Sequence, residues 1–313
     1  MIIKQRQFPH QLRQLEALHR RLPSHHPKLN LISEAAARKW SGYQGETSLD
    51  FHLDFLPPDQ YLILKGLRLF DGKHFFQLDT VLVSRSFLVI LEVKNISGYL
   101  TLDRDIHQLT RQTEGFADPV IQIDRQQQQL KQWVAETCEI SLPVESFVLF
   151  THPKVTLGFT HDRILKSEGV AYRLKNLMSR YSRPIISTKQ MEKIARKMAA
   201  HHSDLQQDIL LQYEIQAGDL VTGVYCENCA QNVRWYKKRW HCQACGTRRL
   251  TSHHQALQDY ALLISPTISN REARSFLRVE CAQIVKRLLI NLGGNKLGAN
   301  KNRTYEIPIT KCR

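Results

Sequence analysis

Leu78-Asp79-Thr80-Val81-Leu82-Val83-Ser84-Arg85-Ser86-Phe87-Leu88-Val89-Ile90-Leu91-Glu92-Val93-Lys94 is the stretch on which the fold turns. Two apolar runs, 78–83 and 87–93, flank the three residues Ser84-Arg85-Ser86, which is hairpin spacing. A turn centred on Arg85 sets Asp79 opposite Leu91 or Glu92, at the open end of the hairpin. Glu92 and Lys94 are two apart, so they share one face of their strand. Val89, Leu91 and Val93 read as buried.

Two carboxylates and a lysine at the end of a buried hairpin are costly unless a cation or one another compensates them. A Mg²⁺ (or Mn²⁺) ion on Asp79 and Glu92, completed by water and a phosphate, meets that need. Lys94 then orients or helps to deprotonate an attacking water. An ordinary cross-strand salt bridge is the alternative reading of the same residues.

Working outward, Leu12, Leu15, Leu18 and Leu22 give residues 2–22 helical spacing, broken by Pro23 to Pro27. Helical spacing restarts at Ile32 and runs towards Gly42. Strands are expected from Phe51 to Val93, with Tyr61 to Leu64 as one run and a turn at Asp71-Gly72. Asp118-Pro119 is a helix start, with the acid as N-cap and proline at the first position. That helix runs to about Glu136. Ser146 to Phe150 reads as a buried strand, and Ser187 with Gln190 forms a capping box for a helix ending near His202. Gln122, Gln126 and Gln129 read as a polar helix exterior. The pairs His25-His26, His201-His202 and His253-His254 read as surface residues.

Ser41-Gly42-Tyr43-Gln44-Gly45-Glu46, then Leu78-Asp79-Thr80-Val81-Leu82-Val83, then Val89-Ile90-Leu91-Glu92-Val93-Lys94-Asn95, then Gly98, resemble the nuclease-related domain (NERD) family. That family looks like a branch of the PD-(D/E)xK nucleases with a restriction-endonuclease-like fold. The resemblance covers roughly residues 30–150. It implies an α/β fold, a mixed sheet flanked by helices, with Asp79 and Glu92 as metal-binding carboxylates and Lys94 as the catalytic lysine. It also implies that Glu46, on the helix before the sheet, supports metal or water. Asp118-Pro119-x-x-Gln122 resembles the family's Asn-Pro-x-x-Gln segment and places Gln122 near the site. Asp118 departs from the usual asparagine; both residues cap helices.

Further on, Cys226-x2-Cys229 and Cys242-x2-Cys245 have the spacing of a structural Zn²⁺ site of the ribbon type. The segment between them carries Arg234, Lys237, Lys238 and Arg239, interleaved with Trp235, Tyr236 and Trp240 and free of acids. Basic and aromatic residues at a hairpin tip suit nucleic acid; a ribbon that only spaces two domains is the alternative. Residues 246–313 hold twelve Lys or Arg against four acids, a balance of +8 out of the chain's +15. Ser269-x-x-Glu272 is a capping box. A helix over Asn270–Leu277, a second over Glu280–Leu292 and a strand over Tyr305–Ile309 resemble a winged helix-turn-helix. Gln283, Lys286 and Arg287 then lie on the exposed side of the recognition helix, and Lys301 and Arg303 in the wing.

The chain has 313 residues, 42% of them apolar, enough for two or three folded domains. Its pI of about 9.6 points to a polyanionic partner. Seven cysteines, four with metal spacing, are reducing-compartment usage rather than a disulfide framework. A charged N-terminus and short apolar runs argue against secretion and membrane insertion, so a cytoplasmic location is expected.

The expected organisation is a helical lead-in (1–40), a nuclease-like domain with helical linker (41–217), a zinc ribbon (218–250) and a winged-helix-like domain (251–313). The expected function is metal-dependent hydrolysis of nucleic-acid phosphodiesters, DNA first. The alternatives are a non-catalytic DNA-binding or regulatory protein on a nuclease-like scaffold, and an adaptor whose ribbon and tail bind protein. Oligomeric state is not legible.

Overall fold

The computed structural model describes residues 1–299 and 302–309. Strand β1 (Ile2–Lys4) leads into helices α1 (His10–Arg21) and α2 (Leu29–Leu53). The chain divides into two compact units: residues 1–7 with 39–205, and residues 8–38 with 206–313.

The first unit is built on a six-stranded mixed sheet. Its strands are β1, β2 (Leu62–Phe70), β3 (Phe75–Val83), β4 (Leu88–Lys94), β8 (Val144–Phe150) and β10 (Ile164–Lys166), in that spatial order. β2, β3 and β4 form an antiparallel meander, whereas β8 runs parallel to β4. The hairpin has the register read from the sequence: Thr80 faces Leu91 and Val83 faces Leu88. Ser84 closes its turn, its hydroxyl donating to Phe87 O at 2.7 Å and accepting from the amides of Ser86 and Phe87.

Helices cover both faces, so β4 is apolar on both sides, as a central strand must be. Leu88 and Ile90 pack with Leu130, Trp133 and Val134 of α3 (Pro119–Cys138) and with Met191, Ile194 and Met198 of α5 (Thr188–Ala200). Val89, Leu91 and Val93 pack on the other face with Leu49 and Leu53 of α2 and with Leu174 and Leu177 of α4 (Val170–Arg180). Glu92 and Lys94 share the parity of Leu88 and Ile90 and so fall on the α3 side. The caps are as expected. Asp118 Oδ1 accepts from Val120 N at 2.8 Å with Pro119 following, and Ser187 and Gln190 form a reciprocal box. A smaller sheet of β5 (Gly98–Asp103), β6 (Gln108–Arg111), β7 (Glu114–Ala117) and β9 (Val155–Leu157) lies beside this core.

Two expectations are corrected. Residues 2–22 are not one helix: Ile2–Lys4 is strand β1, paired with β2, and the helix begins at His10. α2 does not stop near Gly42, nor do strands begin at Phe51; the helix runs 25 residues to Leu53. It holds no proline, and burial of Leu49 and Leu53 against the sheet outweighs the helix cost of two glycines.

The second unit holds the short helix α6 (Ile209–Gln212) and the cysteine ribbon, an antiparallel sheet of β11 (Val224–Tyr225), β12 (Asn232–Tyr236), β13 (Arg239–Cys242) and β14 (Arg248–Arg249). After it come α7 (His253–Leu263), β15 (Thr267–Ser269), α8 (Asn270–Leu277), α9 (Ala282–Asn291), β16 (Lys296–Leu297) and β17 (Thr304–Glu306). Ser269 and Glu272 cap α8 reciprocally, and Arg278 in the left-handed region (φ 55°) ends it. The strand expected over Tyr305–Ile309 is shorter, and β17 pairs with both β15 and β16. β15 carries no clear sequence signal. Arg21 and Asp259 form a buried ion pair at 2.7 Å in this unit. Among the described residues no helix is long and apolar enough to cross a membrane.

Candidate active site

The open end of the β3–β4 hairpin gathers the polar residues singled out from the sequence. Asp79 Oδ2 accepts from Val93 N at 2.9 Å, which fixes it beside the end of β4. Glu92 is buried, at 4% exposure, and both its oxygens are bonded. Oε1 accepts from Lys94 Nζ at 2.9 Å and from Gln122 Nε2 at 2.6 Å. Oε2 accepts from Gln126 Nε2 at 3.0 Å. Lys94 Nζ also donates to Gln122 Oε1 at 2.7 Å, so Gln122 bridges the acid and the base.

Two further groups close the site from the other side. Arg6, buried at 6% side-chain exposure, pairs with Glu46 Oε2 and reaches Asp79 O at 3.3 Å, Thr80 Oγ1 at 3.3 Å and Asp50 Oδ1 at 3.4 Å. Lys65 Nζ meets Asp50 Oδ1 at 3.1 Å. Glu46, half-buried, is brought to the sheet by a close helix contact at Gly45. A β-carbon there would lie 2.5 Å from Asn95 Cβ and 2.9 Å from Thr151 Oγ1. Asn95 Nδ2 ties the helix down by donating to Ser41 O at 2.8 Å. The helix motif and the strand motif are thus two sides of one contact.

The electrostatics are strained towards a cation. Burial first, then the charges of Glu92 and Glu46, push the Asp79 carboxyl well above the usual range, against the Val93 amide and Lys94. Burial also raises Glu46, and the Arg6 charge opposes it. Hard carboxylate oxygens crowded in this way are the donor chemistry that Mg²⁺ or Mn²⁺ takes. Yet no set of three carboxylates converges within 4.8 Å among the described residues; such a set exists only for the four cysteines.

All five expected residues, Glu46, Asp79, Glu92, Lys94 and Gln122, therefore meet at one place. Asp118 does not join them: it caps α3, 3.4 Å from His107 Nδ1. Arg6 and Gln126 were missed. Gln126 is no part of a polar exterior: it is buried and holds Glu92 and Gln77 O. Its position one helical turn after Gln122 was the available signal. Arg6 carried no local signal, since its partners are 40 or more residues away.

In the ribbon, the cysteine sulfurs lie within 4.8 Å of one another, with Cys226 and Cys245 at 3.6 Å and Cys229 and Cys242 at 3.4 Å. A tetrahedral ion with sulfurs at about 2.3 Å spaces them about 3.8 Å apart, so the set fits. The two knuckles match: Ala230 N bonds Cys226 O and Gly246 N bonds Cys242 O, each turn ending in a positive φ. The Thr247 hydroxyl and amide hold the Cys245 thiol down at about 5. That lowering favours the thiolate, the form that binds metal.

Arg234, Lys237, Lys238 and Arg239 are exposed on the ribbon, and Gln283, Lys286 and Arg287 on α9. Arg303 is half-buried, and Lys301 lies outside the described residues. The surface reading of His253 is corrected: it is 2% exposed, stacked on Trp240, whose Nε1 donates to its Nδ1 at 3.2 Å.

Residues 41–151 match the family model of the nuclease-related domain, so this stretch of the chain is a nuclease-related domain. It contains all five residues named above. Among solved structures, the chain is similar to the small subunit of a heterodimeric restriction endonuclease, at 12% identity, covering 50% of this chain and 100% of that one, with a TM-score of 0.18. That overlap is too slight to bear on the site. No curated protein matches the chain.

Proposed function

We propose that this protein is a metal-dependent nuclease that hydrolyses phosphodiester bonds of nucleic acid, with DNA as the first candidate. The observation that carries the reading is the junction of Asp79, Glu92, Lys94 and Gln122 at the hairpin end, inside a nuclease-related domain. Asp79 and Glu92 are the residues to hold Mg²⁺ or Mn²⁺, which supplies Lewis-acid stabilisation of charge at the phosphate. Lys94 positions water and offsets developing negative charge. Gln122 holds Lys94 and Glu92 in register, and Gln126 fixes the far oxygen of Glu92. Arg6 holds Glu46 at the rim.

Cys226, Cys229, Cys242 and Cys245 bind a structural Zn²⁺ on this reading. The ribbon, with Arg234, Lys237, Lys238 and Arg239, and the winged-helix-like tail, with Gln283, Lys286, Arg287, Lys301 and Arg303, bind the substrate. The test is cleavage of a panel of DNA and RNA substrates by the wild type and by Glu92→Ala, with Mg²⁺ or Mn²⁺ or neither. Metal-dependent cleavage by the wild type alone supports the reading. A scaffold that binds nucleic acid without cutting it is the second reading, and the full hydrogen-bonding of both Glu92 oxygens favours it. Binding with no cleavage of any substrate would select it.

A further inference from the structure

A cavity of about 570 Å³ opens within the second unit, between the tip of the ribbon hairpin, the start of α7 and one side of α9. That volume is in the range that takes a drug-sized ligand, roughly 300–1,000 Å³. Trp235 forms one wall, and Leu250, Ile284 and Leu288 form apolar surface beside it. Trp235 is held in place by an edge contact with the buried Trp240, centroids 5.2 Å apart. Tyr236, next along β12, turns to the other face of the ribbon, where its ring meets His241 at 5.5 Å. The charges at the cavity are Lys237, Lys238 and Arg287, and among the described residues no carboxylate lines it.

The turn that presents the two lysines is held at a cost. Lys237 and Lys238 are the two-residue loop between β12 and β13, with φ of 45° and 64°. Such a turn wants Asn-Gly, because both central residues need positive φ. Lysines here give up backbone comfort and place two cations at the mouth.

The wall and the rim ask for different things of one ligand. The aromatic and aliphatic wall selects a flat ring with a π face. The cations, with no opposing acid, select an anion on the same ligand. An acidic peptide supplies the charge without the flat ring. A base locked in a duplex has its faces covered by its neighbours. We propose that this cavity receives an unpaired nucleobase of single-stranded nucleic acid, stacked against Trp235, with its flanking phosphates on Lys237, Lys238 and Arg287. The proposal rests on the reading that the second unit binds nucleic acid, and it narrows the ligand to strands with unpaired bases, such as flaps, overhangs or loops.

The experiment uses the full-length protein in Ca²⁺ buffer and a 15-nucleotide oligomer with one central 2-aminopurine. It is offered as single-stranded DNA, as single-stranded RNA and as duplex DNA. Stacking should lower the probe's fluorescence several-fold in one or both single strands, and the two arms tell DNA from RNA. The duplex probe should show no such drop. Leu250→Trp fills the mouth from a position that is 57% exposed and changes no charge. It should abolish the fluorescence change and weaken single-strand binding about tenfold, as loss of one stacked base does, while duplex affinity holds. Trp235→Ala should do the same, and Leu250→Trp keeps the test sound if Trp235→Ala fails to fold. Tight single-strand binding with unchanged fluorescence, or indifference to Leu250→Trp, would overturn the pocket and leave nucleic-acid binding standing. No binding of any probe at low salt would overturn both.

Discussion

Gly42→Ala and Gly45→Ala add the same methyl group to the same helix, three residues apart, and should act in opposite directions. At Gly42, which is exposed, nothing lies within 4 Å of the new carbon. Alanine is there simply the better helix former, by about 1 kcal/mol. At Gly45 the carbon meets Asn95 Cβ at 2.5 Å and Thr151 Oγ1 at 2.9 Å, where contact between carbons wants about 3.5–4.0 Å. α2 must therefore retreat by about 1 Å or displace Asn95, which risks its hydrogen bonds to Ser41 O and Oγ. Overpacking costs about 1–3 kcal/mol, and a lost hydrogen bond about 1 kcal/mol. After the gain in helix propensity, the net loss should be about 1–3 kcal/mol. The two variants should then differ in melting temperature by about 5–10 °C for a unit of this size. Thermal and urea melts measure this directly. Glu46 follows Gly45, so Gly45→Ala should also lower any cleavage activity, and Gly42→Ala should not. Melting of the two variants together, or a Gly45→Ala protein more stable than the wild type, would refute the close contact.

Other expectations follow from single contacts. Gln126→Leu leaves the buried Glu92 Oε2 without its donor. It should cost about 1–3 kcal/mol and reduce cleavage; an unchanged urea midpoint would count against the arrangement. Burial, then the neighbouring His254, lowers the His253 imidazole to about 4. Its folded value lies below an ordinary value of about 6.5, so the unfolded chain takes up the proton first as pH falls. The stability from neutral His253 is present above pH 6.5 and is lost between 6.5 and 4, by about 3 kcal/mol at most. Urea midpoints followed at Trp240 should show that loss, and a His253→Phe protein should show less of it; identical pH slopes would contradict it. Cys242→Ser should remove zinc from the purified protein, since such sites bind with about 10–16 kcal/mol. Hydrogen exchange should then rise in residues 224–249 and stay low in β4. Elemental analysis finding no zinc in wild-type protein purified without chelator would rule the site out.

What was legible in the sequence was local or periodic. The hairpin register followed from two apolar runs and a three-residue turn. The caps at Asp118, Ser187 and Ser269 follow from side chains that bond amides two or three residues away. Glu92 and Lys94 meet because the period of a strand is two. The rest depended on how elements dock. α2 looked finished at Gly42, but its last two turns are held by the sheet face beneath Leu49 and Leu53. Gln126 looked like a polar exterior because its burial depends on α3 crossing the sheet above Glu92. Arg6 joins the site because β1 adds to the sheet beside β2, a long-range parallel pairing that no local pattern announces. His253 looked exposed among polar neighbours, and only the packing of α7 against Trp240 buries it.

The central claim is that the carboxylates at the hairpin end make a metal-dependent cutting site. The most direct measurement is cleavage of end-labelled single-stranded and duplex DNA by wild type, Glu92→Ala and Lys94→Ala purified side by side, with Mg²⁺ and with Ca²⁺. The account predicts cleavage by the wild type in Mg²⁺, none by Glu92→Ala, and a loss of about a hundredfold or more for Lys94→Ala, with binding in Ca²⁺ retained by all three. Equal cleavage by wild type and Glu92→Ala would contradict it.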